Sequence, residues 1–197
     1  MRRLLLALPL ALLPLAALAA EHNHEHDHAH DHAEHGSLDA HEHGAAQLNV
    51  VLDGKVLELQ LESPAMNLVG FEHAAKSDAD KAKVAAARSQ LEQPQPLFGL
   101  NAGDCQISKQ ELESPLFAEH KHEEHHDHDS EHSDIHAHYT LDCQKPEELK
   151  QLNLGELFKR FPATEKIQVQ LLGPNGEQAR ELAPAPPTLS LQPPFCT

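Results

Sequence analysis

The groups best able to do chemistry in this 197-residue sequence are its 18 histidines, and 17 of them fall in two tracts. Residues 21–43 hold nine histidines and seven carboxylates, and residues 119–138 hold eight and seven. His73 is the only histidine outside them. Neutral imidazole is a borderline ligand that suits zinc, copper, nickel and cobalt. Neighbouring carboxylates can bind the ion directly or orient a ring through its second nitrogen. An alternating tract offers many interchangeable ligand sets, so the expectation is several Zn2+ ions, mostly labile. The weaker ligands would be His22, His24, His26, His28, His30, His32, His35, His120, His122, His125, His126, His128 and His132. With only three cysteines in the chain, a thiolate site of the kind that holds copper(I) or structural zinc is not expected.

A tighter site is expected at the tract edges. His41-Glu42-His43 immediately precedes a candidate strand, and His136-Ala137-His138 opens another. A His-x-His pair on a strand points both rings to one face, because side chains alternate. If the two strands are neighbours, the pairs supply three or four nitrogens, the tetrahedral set zinc prefers. Glu72 and His73 are further candidate ligands, His73 having a hydrogen-bonded loop histidine as its alternative. Two stretches, His24 to His28 and His122 to His126, match H-E-x-x-H. That motif needs an amphipathic helix with an apolar face, which neither flank supplies. No nucleophile elbow, phosphate loop or CxxC motif occurs, and the reading is that the protein is not an enzyme. The alternatives to zinc are a nickel, cobalt or copper(II) buffer, and a pH-responsive interaction module whose histidines charge near neutrality.

The elements that must position these groups read as α+β: antiparallel hairpins with a few short helices, in a single domain carrying two disordered histidine-rich segments. Residues 45–62 alternate as a hairpin around Asp53-Gly54, with Leu48 facing Leu59 and Val50 facing Leu57. Residues 77–92 read as a helix capped by Ser77, with Asp80 in the capping-box position and Val84, Ala87 and Leu91 on one face; Pro94 and Pro96 end it. A strand from Asp104 to Glu113 and another from His136 to Cys143 flank the second tract. If Cys105 and Cys143 pair, Ile107 faces Leu141, Lys109 faces Tyr139, and His136 and His138 face Leu112 and Gln110 on the polar side. In an oxidising compartment the disulfide is favoured over two free thiols. Cys196 is left without a role. A short helix opens at Pro146, a second runs from Leu154 to Phe161, and residues 166–182 form a last hairpin. The tail from Pro184 is extended packing or disorder.

Residues 1–20 combine Arg2 and Arg3, an apolar run and Ala17-Leu18-Ala19, the pattern of a cleaved secretory signal peptide. The destination would be the periplasm, with no membrane insertion after cleavage. The formal charge of −16 opposes a nucleic-acid partner, because phosphates would be repelled. The organisation is then a signal peptide (1–20), a histidine-rich segment (21–43), and an α+β zinc-binding body (44–197) with a histidine-rich loop insertion at 119–134.

Several runs resemble a known family. His41-Glu42-His43-Gly44 before a strand and Ser63-Pro64-Ala65-Met66-Asn67-Leu68-Val69-Gly70-Phe71-Glu72-His73 are similar to the ZrgA-type periplasmic zinc-binding proteins. So are the tract between Cys105 and Cys143, the run Tyr139-Thr140-Leu141-Asp142-Cys143, and Leu157-Phe158-Lys159-Arg160-Phe161-Pro162. The resemblance implies a zinc-responsive accessory of an ABC-type zinc importer that scavenges, buffers or delivers the metal. It extends to individual residues at the two His-x-His pairs and at Glu72-His73.

Overall fold

A computed structural model describes residues 42–118 and 133–191. The signal-peptide reading, the first tract up to His41, the loop histidines His120 to His132 and Cys196 lie outside the described residues. The chain enters β1 (Ala45–Asp53), turns into β2 (Val56–Pro64), and passes through two helices, α1 (Ala65–Val69) and α2 (Asp78–Leu91). A third short helix, α3 (Pro94–Phe98), leads to β3 (Cys105–Glu113), and β4 (Asp134–Cys143) returns beside it. The remaining strands and α-helix are β5 (Gln151–Asn153), α4 (Gly155–Arg160), β6 (Lys166–Gly173), β7 (Gly176–Leu182) and β8 (Thr188–Ser190), with short 3-10 turns at Leu100–Gly103, Pro115–Phe117 and Pro146–Glu148. Six strands form one sheet in the order β3-β4-β2-β1-β6-β7, while β5 and β8 pair separately. This is the expected α+β class, with one addition: β1 and β6 pair in parallel.

Strand alternation decides the two faces of the sheet. Leu48, Val50, Leu57, Leu59, Leu61, Ile135, Tyr139, Leu141, Ile167 and Val169 are buried and share one face. Leu91, Leu97, Phe98, Leu157 and Phe158 from the helical segments are buried in the same core. Burying each such side chain stabilises the fold by about 1.5–3 kcal/mol before entropy is counted. Tyr139 lies edge-on to Phe98 with ring centroids 5.7 Å apart. Its hydroxyl donates to the Leu91 carbonyl at 2.7 Å, so its polar tip is satisfied inside the core. Burial, and secondarily the charge of Glu92, pushes its phenol up from the ordinary value. The opposite face carries Gln47, Asn49, Gln60, Glu62, His136, Gln168 and Gln170, all exposed. An antiparallel sheet can leave one face to water in this way.

Local chemistry explains where elements begin. Ser77 caps α2: its hydroxyl accepts from the Asp80 amide at 3.1 Å and donates to the Asp80 carboxylate at 2.6 Å. Val84, Ala87 and Leu91 form the buried stripe of that helix. Pro94 and Pro96 do not only end it; Pro94 opens α3, a first-turn position where its missing N–H costs nothing. The β1–β2 hairpin is offset by two residues from the expected pairing, with Leu48 opposite Leu61 and Val50 opposite Leu59. Gly54, at φ 57°, is the first central residue of the turn, where a type II′ turn requires glycine. A two-residue offset keeps every side chain on its expected face.

Candidate metal centre

The histidine pair of β4 stands where the sequence placed it, on the polar face, with Ile135, Ala137 and Tyr139 buried behind. Its neighbours are different. Cys105 and Cys143 are opposite one another and joined by a disulfide, and Ile107 faces Leu141 as expected. Beyond Ile107 a β-bulge shifts the register, so Lys109 faces Thr140 rather than Tyr139. The Ser108 hydroxyl donates to the Thr140 carbonyl at 3.0 Å across this irregularity. His138 therefore lies opposite Glu111, not Gln110, and His136 opposite Glu113, not Leu112. Leu112 turns toward the core instead, and Ile107 on this edge strand is 37% exposed rather than buried.

On the other side of β4, His136 pairs with Glu62 of β2 and His138 with Gln60. The β4 histidines are thus flanked from both sides in two rows, Glu62-His136-Glu113 and Gln60-His138-Glu111. These residues, with Asn49, line an open concavity of about 290 Å³. His136 Nδ1 lies 3.9 Å from Glu62 Oε2, with both side chains half exposed. One ligand atom each from Glu62, Asp134 and His136 fall within 4.8 Å of one another. Ligand atoms about 2.0–2.2 Å from a tetrahedral zinc are about 3.4 Å apart. Side-chain rotation of about an ångström, of the exposed Glu62 and His136 toward the half-buried Asp134, closes that difference, and a fourth position stays open. The donor set fits zinc, and the surrounding carboxylates favour any cation.

His43 and Glu72 also come together, with His43 Nε2 3.1 Å from Glu72 Oε1. Glu72 is buried and His43 half exposed. A buried carboxylate needs such a partner, since an unpaired buried charge is costly. His73 does not join them among the contacts of the described residues: its ring stacks on Phe71 with centroids 4.7 Å apart, and Nδ1 lies 3.1 Å from the Ala74 carbonyl. The union of the two His-x-His pairs is expected if the strand after His43 and the strand of His136 are neighbours, and they are not. β2 lies between β1 and β4, which sets those two strands two strand spacings apart, about 9–10 Å. His41 is outside the described residues.

The first helix ties both tract ends to the body. The Ala65 amide donates to the Ser133 carbonyl at 2.8 Å, where the second tract enters β4. Asn67, 3% exposed, holds the end of the first. Its Oδ1 accepts from the Gly44 amide at 2.7 Å, and its Nδ2 donates to the Ala45 carbonyl at 2.8 Å and the Ser63 hydroxyl at 3.1 Å. Gly44 sits at φ 85°, and a Cβ there would lie 3.2 Å from the Glu165 side chain. Its carbonyl accepts from both the Glu165 and Lys166 amides. Lys166 also pairs with Glu42 at 3.0 Å, and that carboxylate raises the lysine above its ordinary value. Both tracts thus join the sheet at the end that carries Glu62, Asp134 and His136.

Glu62, Asp134, Glu111 and Glu113 were not among the ligands expected from sequence. Glu62 shares the alternation of Gln60 and Glu58, which was a usable signal; the β3 carboxylates were hidden by the bulge.

Residues 40–191 match the model of the ZrgA family zinc uptake proteins, and the chain belongs to that family. No curated protein matches the sequence. No helix among the described residues is long and apolar enough to cross a membrane.

Proposed function

We propose that this member of a zinc uptake family is a periplasmic, non-enzymatic zinc carrier that scavenges or buffers the metal and delivers it to an ABC-type importer. The observation that carries the reading is the convergence of Glu62, Asp134 and His136 at the sheet end where both histidine tracts join. The tracts act as a labile antenna that raises local zinc, and the ordered donors hold one ion more tightly. Three protein ligands on an open face leave a coordination position through which a receiving protein could take the ion by ligand exchange. Zinc is cargo here, so exchange matters more than permanence.

Competition titration of the full-length protein tests this. Glu62→Gln combined with His136→Ala is expected to remove the tightest binding event while leaving most of the weak capacity. Zinc-loaded protein should also pass its ion to the solute-binding subunit of a zinc importer faster than it releases zinc to a chelator. If the double variant keeps the tight event, the sheet-face site is wrong. If transfer is no faster than spontaneous release, the delivery role is wrong.

A further inference from the structure

The second histidine row lies outside the Glu62–Asp134–His136 cluster and has its own donors. His138 is opposite Glu111 on one side and Gln60 on the other. Directly opposed residues on one face of an antiparallel pair have Cβ atoms about 4.5–5.5 Å apart, within reach of a shared ion. Gln60 Nε2 lies 3.5 Å from His138 Nε2, and the amide can present its oxygen there by a simple flip. Glu111 is already engaged by a cation: Lys109 Nζ is 2.8 Å from its Oε2. That ammonium holds the Glu111 carboxyl below its ordinary value, with a smaller contribution from His138. Lys109, Glu111 and Glu113 share one face of β3 because they follow the bulge in alternation.

We propose that the sheet face carries a second divalent-cation position, formed by His138, Glu111 and Gln60, with Lys109 as its built-in competitor. The ammonium occupies the carboxylate until a metal ion displaces it, and then swings into solvent with its charge intact. The position fills after the Glu62–Asp134–His136 site, because its single carboxylate must first give up a partner. Two ions of graded affinity on one concave face would let the weaker position receive zinc from the tracts while the tighter one stays loaded. This inference rests on the zinc reading above. The divalent preference follows from the donors, since a lone imidazole and carboxylate hold a 2+ ion far better than a second ammonium.

The test follows the ring nitrogens of His136 and His138 by NMR in full-length protein labelled on histidine, titrated with zinc alone. Each ring is assigned from the His136→Gln and His138→Gln variants. In the unmodified protein the His136 ring should respond first and the His138 ring at higher zinc. An exposed ion pair is worth up to about fivefold in an equilibrium, so Lys109→Met should lower the His138 midpoint by roughly that factor. The His136 midpoint should stay within about twofold. Lys150→Met removes a distant exposed charge and should move neither. In an E111Q background the His138 midpoint should rise, and adding Lys109→Met should no longer lower it, the non-additivity expected of a direct pair. The proposal is overturned if the His138 ring never responds. It is overturned equally if both rings share one midpoint in every variant, or if Lys109→Met acts as strongly without Glu111. A silent His136 ring beside a responsive His138 ring would sink the primary site and leave the second standing. All the altered side chains are on the polar face, and a thermal unfolding transition for each variant verifies that it folds.

Discussion

Asn67→Ala should be among the most damaging single changes to the body that removes no apolar group. The side chain is buried and makes three hydrogen bonds, to Gly44, Ala45 and Ser63. Each contributes about 1 kcal/mol net, and the orphaned Gly44 amide adds its own desolvation cost. The expected loss is therefore about 3 kcal/mol. For a domain of this size 1 kcal/mol corresponds to about 2–4 °C, so Tm should fall by about 6–12 °C. Thermal and urea unfolding followed by far-UV circular dichroism, with zinc held off by a chelator, would measure it. Asn67→Asp keeps the acceptor for Gly44 but turns an oxygen toward the Ala45 carbonyl, and should be no more stable than the alanine variant. A loss below about 1 kcal/mol for Asn67→Ala would refute the idea that this side chain fastens the first tract to the sheet.

Three further outcomes can be measured. Protons compete with metal for imidazole below about pH 6.5, so zinc stoichiometry by metal analysis should be well below its neutral value at about pH 5.5; equal values would assign the metal to carboxylates. Replacing residues 119–132 with a short Gly/Ser linker removes six histidines and should reduce zinc capacity, while the unfolding transition and the tightest binding event stay in place. Removing the disulfide by changing both Cys105 and Cys143 to alanine opens a link across 38 residues of sequence, which the chain-entropy model values at about 4 kcal/mol; urea unfolding without reductant would show whether the loss approaches that.

What the sequence made legible was local and periodic. The alternation of residues 45–62 sorts faces correctly because burial acts on every second residue. The Ser77–Asp80 pair announces α2 because a capping box satisfies orphan amides with residues three apart. The cysteine pair marks the β3–β4 alignment at one end. Three things were not legible. The hairpin offset was hidden because two registers differing by two residues bury the same side chains, and only the turn preference of Gly54 distinguishes them. The place of β2 between β1 and β4 is a matter of sheet order, which no local pattern encodes. The five-residue helix α1 is too short for periodicity to show, and its start rests on Pro64 and its contact with Ser133. The metal face suffered most, because its donors come from three strands and depend on all three registers at once.

Strand parity gives the bulge at Ser108 a role beyond local irregularity. Cys105 must point into the core to meet Cys143, whereas Glu111 must point to the polar face to meet His138. Positions separated by an even number of residues share a face in a regular strand, so no unbroken strand could present both. The bulge acts as a phase shifter, letting one strand serve a covalent link at one end and a cation site at the other. A sequence with an odd spacing between the equivalent cysteine and its acidic partner would need no such shift. Residue spacing alone therefore distinguishes the two cases: an even difference in residue number between the bridging cysteine and the acidic residues implies an inserted residue, and an odd difference a regular ladder. By the same reasoning, a chain lacking Ser108 should keep Glu111 and Glu113 opposite the histidines, with the ladder straightened between them and the disulfide.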